Sequence, residues 1–233
     1  GEQRQEVLMF AAADNAVREQ LRLLEQAGCQ PVGMDATPVA LARAAEHFWP
    51  VGPDADDPVR VIADLGGNNC LVVITRGDRI VFVKAIEIGS ADLTRAVAEK
   101  VGTSHEDTFG LRLRMGGCSE IGWQRSEDES VGEGSKIHRA VTAAMRPVIE
   151  RLAHEISLCL RYYSVTFRGH RPDSVTFVGG ASHDQLLMQL LSEALGAPAI
   201  VGNPLSCCLA DEKTCEWGMG PDAGGPEWAA AMG

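Results

Sequence analysis

Asp64 closes an apolar run, Val61-Ile62-Ala63-Asp64, and Gly66-Gly67-Asn68-Asn69 follows almost at once. A carboxylate at the end of a strand can hold a Mg²⁺-bound water. Two glycines beyond it let the backbone approach an anion closely enough for main-chain N–H groups to cradle a phosphate. The same four residues suit a plain hairpin turn that needs positive φ, so both readings stand. A second turn of small residues, Gly179-Gly180-Ala181-Ser182, lies between an apolar strand pattern and a helical one. There an adenine or ribose can pack flat on the backbone while a helix N-terminus supplies donors, and close strand–helix packing would use the same residues.

Other chemistry finds less support. His105, Cys118, Cys207, Cys208 and Cys215 lack Cys-x-x-Cys or His-x-x-x-His spacing, and buried or unpaired thiols are a better reading than a metal site. His154 and Glu155 are consecutive on a helical pattern, where adjacent side chains diverge and cannot act as one catalytic pair. Ser157 and Ser182 have no Gly-x-Ser-x-Gly context, and no Lys follows a Gly-rich loop.

The elements that must position these residues come from a chain of 233 residues, long enough to bury a sizeable core. A formal charge of −11 disfavours nucleic acid and anionic lipid as general partners, since both require clustered Lys and Arg. Seven cysteines without regular spacing suit reduced thiols in the cytoplasm. No apolar run reaches the roughly 18 to 20 residues that span a bilayer, so direct membrane insertion is not expected and any membrane association needs a partner.

Along the chain, residues 7–13 and 31–34 read as short strands and Val17, Leu21, Leu24 and Ala27 recur at helical spacing between them, with Gly28 as the stop. A second helix starts at Asp35-Ala36-Thr37-Pro38 and buries Leu41, Ala44 and Ala45. Residues 51–58 form a polar, Pro-containing connector. Residues 60–64, 70–75 and 80–86 predict an antiparallel meander. Helices follow at 90–101 and from Ser104, then a Gly-, Ser- and Glu-rich loop or insertion over 116–135. A long amphipathic helix over 136–166 carries Val141, Met145, Val148, Leu152, Ile156, Cys159 and Tyr163 on one side. A strand at 172–178, a helix at 184–195 ended by Gly196 and a short strand at 199–201 complete the pattern.

Four segments in this order resemble a known family. Residues 6–14 with 26–35, Val61 to Asn69, Ile88-Gly89-Ser90-Ala91-Asp92-Leu93-Thr94, and Val175 to Ser182 followed by Asn203-Pro204 are similar to the PilM-like type IV pilus assembly proteins of the actin superfamily. The resemblance spans residues 6–205 and implies an α/β, actin-like (ribonuclease H-like) fold. Residues 1–50 would be the remnant of a first actin-like half. Residues 60–205 would form the second half with a helical inserted subdomain at about 90–155, and residues 206–233 a tail.

The resemblance also implies ATP and Mg²⁺ as cofactors, with Asp64 at the metal and Gly66, Gly67, Asn68, Asn69, Arg112, Gly179, Gly180, Ala181 and Ser182 around the nucleotide. No catalytic residue is implied. Where such proteins carry an Ala-Glu-x-x-Lys pattern near the ribose and base, this chain has Phe109 at the Glu position and Arg112 at the Lys position. No first phosphate hairpin precedes residue 60, so the expectation is a fragment or shortened relative with half a nucleotide cleft. The implied role is a cytoplasmic scaffold or adaptor of a type IV pilus or competence system, held near the inner membrane by its partners. Those implied are a PilN-like protein, bound through its cytoplasmic peptide, and a second copy of the chain as a homodimer. Two other readings remain: an active actin-fold ATPase or sugar-kinase-like phosphotransferase, and a relative of FtsA or of the type II secretion L protein.

Overall fold

Strands β1 (Val59–Leu65), β2 (Cys70–Arg76) and β3 (Arg79–Ile86) form the expected antiparallel meander. They belong to a computed structural model that describes residues 7–48, 58–115, 131–167, 172–205 and 225–232. On its other side β1 pairs in parallel with β4 (Val175–Val178), which pairs in parallel with β5 (Ala199–Val201). The sheet order is therefore β3-β2-β1-β4-β5, with β1 central.

Strand residues alternate between two cores, as the period of two requires. Val61, Ala63, Leu65, Val72, Ile74, Val175 and Phe177 face one layer, while Ile62, Val73 and Val178 face the other. Because both faces are covered, the strands read as nearly continuous apolar runs. The first layer is built from α3 (Ser90–Val101), α5 (Val131–Phe167) and α6 (Gln185–Leu195), with Leu93, Val97, Met145, Leu152, Ile156, Leu160 and Leu191 fully buried. The second is thinner. Leu41, Ala44 and Ala45 of α2 (Thr37–Phe48) and Ala229 of α7 (Ala229–Met232) close it. Helix α4 (His105–Met115) packs beside α3, and α1 (Asp14–Gln26) completes the helices.

Helix ends follow local chemistry. Gly28 at φ +80° stops α1, with its N–H on Glu25 O and the Cys29 N–H on Leu24 O, which satisfies two carbonyls of the last turn. Asp184 caps α6 through the Leu187 N–H at 3.0 Å, and Gly196 at φ +62° ends it.

Three expectations need correction. Residues 7–13 and 31–34 are not strands: they pair with no ladder among the described residues, and an extended run without a neighbour leaves its peptide groups to solvent. The loop assigned to 116–135 is already helical from Val131, because a helix docked by the stripe from Val141 onward propagates at one bond per residue; residues 116–130 lie outside the described residues. The strand expected over 172–178 is hydrogen-bonded only from Val175. The connector at 51–58 lies outside the described residues apart from Pro58, as does the tail over 206–224.

Helix α5 runs for 37 residues and carries Pro147 inside it without ending. Its stripe is the one read from the sequence: Val141, Met145, Leu152, Ile156, Cys159 and Tyr163 are buried, and Val148 packs against them. Lys84 and Glu155 pair at 2.8 Å, Phe82 tilts against Tyr162, and Tyr163 stacks on Phe167. Glu155 and Tyr162 thus anchor α5 to β3, while Tyr163 packs within α5 and its core.

No side chain of α1 is buried, and Val7 and Met9 are 79% and 86% exposed. Stability therefore resides in the sheet and its helices. Leu160→Ala is expected to cost about 2–5 kcal/mol, while Met9→Gln stays within about 0.5 kcal/mol of the parent, both read from urea unfolding.

Candidate functional site

Strands β1 and β4 run parallel and side by side, with Asp64 opposite Val178, so their C-terminal ends open at the same edge of the sheet. In open sheets this edge is where ligands bind. The residue after Val178 is Gly179, at φ +89°. A Cβ there would stand 2.5 Å from Asp64 Oδ1 and 2.7 Å from Leu65 O. Only glycine fits on both counts, and its fit brings the two sequence-predicted turns against each other.

In the first turn the Gly66 N–H closes on Asn69 O at 3.0 Å. The turn then serves as the cap of α3, whose Ser90 and Ala91 N–H groups donate to Gly66 O at 3.0 Å and Gly67 O at 2.8 Å. Gly89 makes this possible, since a Cβ there would lie 2.3 Å from Gly67 O. The positive end of α3 is thus turned toward the 66–69 loop, and Asp92 steadies it by accepting from the Gly89 N–H at 3.0 Å. The N–H groups of Gly67 and Asn68 have no protein acceptor among the described residues. Gly67, Asn68 and Asn69 are exposed, and a Cβ on Gly67 would meet nothing within 4 Å.

Asp64 is half-buried and has no hydrogen-bond or ion-pair partner among the described residues. Burial alone raises its pKa above the ordinary 3.8. The neighbouring Cys70 thiol is pushed far up by burial and then by the Asp64 charge, which makes it inert. A desolvated carboxylate without a partner, beside free main-chain donors, suits a hydrated cation.

The second turn is a single 3₁₀ turn over Gly180–His183. Ser182 is buried and its Oγ donates to Gly179 O at 2.6 Å, so it shapes the turn rather than facing outward. Gly180 is exposed with open space where a Cβ would stand, and Ala181 is partly buried. Behind the turn, the Gly179 N–H donates to Pro226 O at 2.8 Å and His183 Nε2 lies 2.5 Å from Glu227 Oε2.

Arg112 stands apart from the other predicted contacts. It is 5% exposed, and its guanidinium is occupied by the protein: Nη1 donates to Ser90 O at 3.0 Å and Thr94 Oγ1 at 2.8 Å, and Nη2 to Asp184 Oδ2 at 3.1 Å. Burial lowers its pKa and Asp184 opposes that, so the charge is kept. Phe109, by contrast, is half exposed. Sequence reasoning missed the roles of Gly89, Thr94 and Asp184. Asp184 was visible as the start of a helix, but no sequence signal ties it to an arginine 72 residues away.

Elsewhere, an open groove runs between α5 and the β3–α3 connection near Glu87, Ile88, Pro147, Glu150 and Arg151. Among the described residues no cluster of His, Cys, Asp and Glu could hold a metal ion, and no helix is long and apolar enough to cross a membrane. Cys118, Cys207, Cys208 and Cys215 lie outside the described residues. Cys70 and Cys159 are buried free thiols and Cys29 is an exposed one.

A mixed five-stranded sheet, helices on both faces and glycine turns after β1 and β4 define an actin-like fold. It is shared by the ethanolamine utilization protein EutJ of Carboxydothermus hydrogenoformans (TM-score 0.60, 18% identity, 82% of this chain and 57% of that one). AMPPNP-bound MreB5 of Spiroplasma citri shares it too (TM-score 0.52, 10% identity, 82% and 61%). Within that class the chain is similar to type IV pilus assembly proteins. The family model described as type IV pilus assembly protein PilM matches residues 2–112. A chain of the PilM–PilN type IV pilus biogenesis complex superposes with TM-score 0.69 at 25% identity, covering 93% of this chain. The present chain spans 56% of that relative's length.

Two substitutions probe the junction. Gly179→Ala is expected to destabilise by about 1–3 kcal/mol, from positive φ and overlap with Leu65 O together, as read from thermal unfolding. The raised Asp64 pKa means the folded state holds the proton more tightly than the unfolded one. Stability linked to this group is present below the ordinary value of 3.8 and is lost as pH rises through the folded value. Asp64→Asn should therefore be more stable than the parent at neutral pH, with the gain disappearing toward the ordinary carboxylate range, in urea unfolding followed across pH.

Proposed function

We propose that this chain is an actin-fold adaptor of a type IV pilus assembly apparatus, and that the cleft between its two turns binds ATP with Mg²⁺. The observation that carries the nucleotide part is the meeting of the 66–69 and 179–182 turns at an unpartnered, desolvated Asp64. The free N–H groups of Gly67 and Asn68, with Gly66 and Asn69 framing them, would hold phosphate oxygens. Asp64 would accept hydrogen bonds from the water shell of a Mg²⁺ ion, which as a hard cation keeps several of its waters. Gly179, Gly180, Ala181 and Ser182 would form the floor under the ribose and adenine. The open space at Gly67 and Gly180 fits such a ligand, whereas Arg112, whose terminal nitrogens are already engaged, supports the walls instead of touching it.

The adaptor part of the reading is supported by the likeness to a chain from a PilM–PilN complex. A PilN-like inner-membrane protein is accordingly the proposed partner, reached through its cytoplasmic peptide, and it would hold the chain at the membrane. Nucleotide acts here as a ligand that stabilises one shape of the cleft for that partner, and binding suffices for the role.

Calorimetry with ATP and Mg²⁺ tests the cleft. Gly67→Ala and Gly180→Ala place a methyl group in open space at positions without positive φ, so both variants should unfold at the parent temperature yet bind ATP about tenfold more weakly, a loss of roughly 1.4 kcal/mol. Asp64→Ala should remove the Mg²⁺ dependence of binding. Unchanged affinity in both glycine variants would overturn the site. ATP turnover well above background that disappears in Asp64→Ala would make the protein an ATPase instead of a binding module. Fluorescence anisotropy of a labelled PilN-like N-terminal peptide tests the partner.

A further inference from the structure

The two turns touch at Gly179, but a second route joins them, and it runs through α4. Gly66 O accepts the Ser90 N–H at 3.0 Å, which fixes the first turn to the start of α3. Ser90 O in turn accepts from Arg112 Nη1 at 3.0 Å and from Thr94 Oγ1 at 3.1 Å. Thr94 is 1% exposed, and its oxygen accepts from the same Nη1 at 2.8 Å while its proton goes to Ser90 O. The other terminal nitrogen, Nη2, reaches Asp184 Oδ2 at 3.1 Å. The second oxygen of Asp184 caps α6 at Leu187, and the Asp184 N–H donates to Ala181 O at 3.2 Å, inside the second turn. Gly179 then closes the circuit against Asp64 and Leu65.

Stability alone is a poor reason for this arrangement. Arg112 and Asp184 are 5% and 8% exposed, and Arg112 Nε is buried with no partner. A buried ion pair gains little over well-packed apolar side chains, because desolvation offsets the attraction, whereas it does fix geometry strictly. The chemistry of the residue points the same way. A guanidinium is planar and carries two terminal nitrogens, so one can serve the α3 side and the other the α6 side. A lysine ammonium is a single point charge and cannot hold both sides at this spacing.

We propose that the Arg112–Asp184 pair is a strut that sets the spacing of the 66–69 and 179–182 turns, so that a change at one turn is passed to the other. Arg112 is then a positioning residue for the cleft. As far as ATP is concerned this rests on the function proposed above; the mechanical coupling of the turns does not depend on it.

Hydrogen exchange read by mass spectrometry tests the strut without a ligand. Asp184→Asn keeps one oxygen to cap α6 and replaces the other, the acceptor of Arg112, with an NH2 group that cannot hold the guanidinium. Exchange of the amides that tie the 66–69 turn, Gly66, Ser90 and Ala91, should rise on the order of tenfold, although Asp184 does not touch that turn, while β1 and β2 amides keep their protection. Arg112→Lys, which keeps the charge and loses the fork, should loosen at least one turn in the same way. A rise confined to the start of α6, or one spread evenly over β1 and β2, would overturn the proposal. In parallel, ATP affinity in the presence of Mg²⁺ should fall about tenfold in Asp184→Asn. Equal affinity in parent and variant overturns the strut as a positioning device. If the parent binds no ATP, the function proposed above fails and the exchange result alone decides the strut.

Discussion

Between the ends of β1 and β4 there is no room for a methyl group. Gly179 sits where a Cβ would overlap the Asp64 carboxylate and the Leu65 carbonyl, and its φ of +89° is one that other residues rarely adopt. Much of the cleft depends on this close approach. It holds the second turn against the first and keeps Asp64 partly out of water and so raises its pKa, while Gly67 and Gly180 stay exposed. Two parallel neighbours ending at one edge are common, but two that end in contact need a residue without a side chain.

The polar groups around this contact are used economically. The first turn of α3 would ordinarily leave its N–H groups to solvent or to an anion. Here two of them are satisfied by the carbonyls of the 66–69 turn, so the helix contributes its positive end while the Gly67 and Asn68 N–H groups stay free. Asp184 likewise does two things, capping α6 with one oxygen and holding Arg112 with the other. Ser182, read from the sequence as part of the nucleotide side, spends its hydroxyl on the backbone of its own turn. The result is a junction whose side chains mostly bond to the protein itself and whose exposed backbone carries the free donors.

The N-terminal segment behaves differently. Residues 7–36 contain a helix with a well-formed glycine stop and an apolar face, yet bury no side chain of α1. Helix α2, directly after it, is tied into the second core through Leu41, Ala44 and Ala45. The local rules of helix start and stop are thus obeyed on both, and burial separates them.

Much of the fold was legible in the residues. The meander, the α5 stripe from Val141 to Tyr163 and the α6 stop were readable because each depends on neighbours in sequence: period two, period 3.6 and glycine at positive φ. The two turns were legible as types but not as a pair. What failed were the strands at 7–13 and 31–34, since a strand requires a partner that local pattern cannot supply, and the start of α5, since a docked helix extends past its apolar stripe. The sequence by itself determined which segments are strands and helices in the core and which turns can adopt glycine geometry, because backbone preference and side-chain burial act over a few residues. Only the tertiary structure decided that Gly179 meets Asp64, that Gly89 seats α3 on the 66–69 turn and that Arg112 is held by Asp184. Those contacts join residues far apart in the chain, and their energy comes from exclusion of water and overlap of atoms that exist only once the sheet and its helices are assembled.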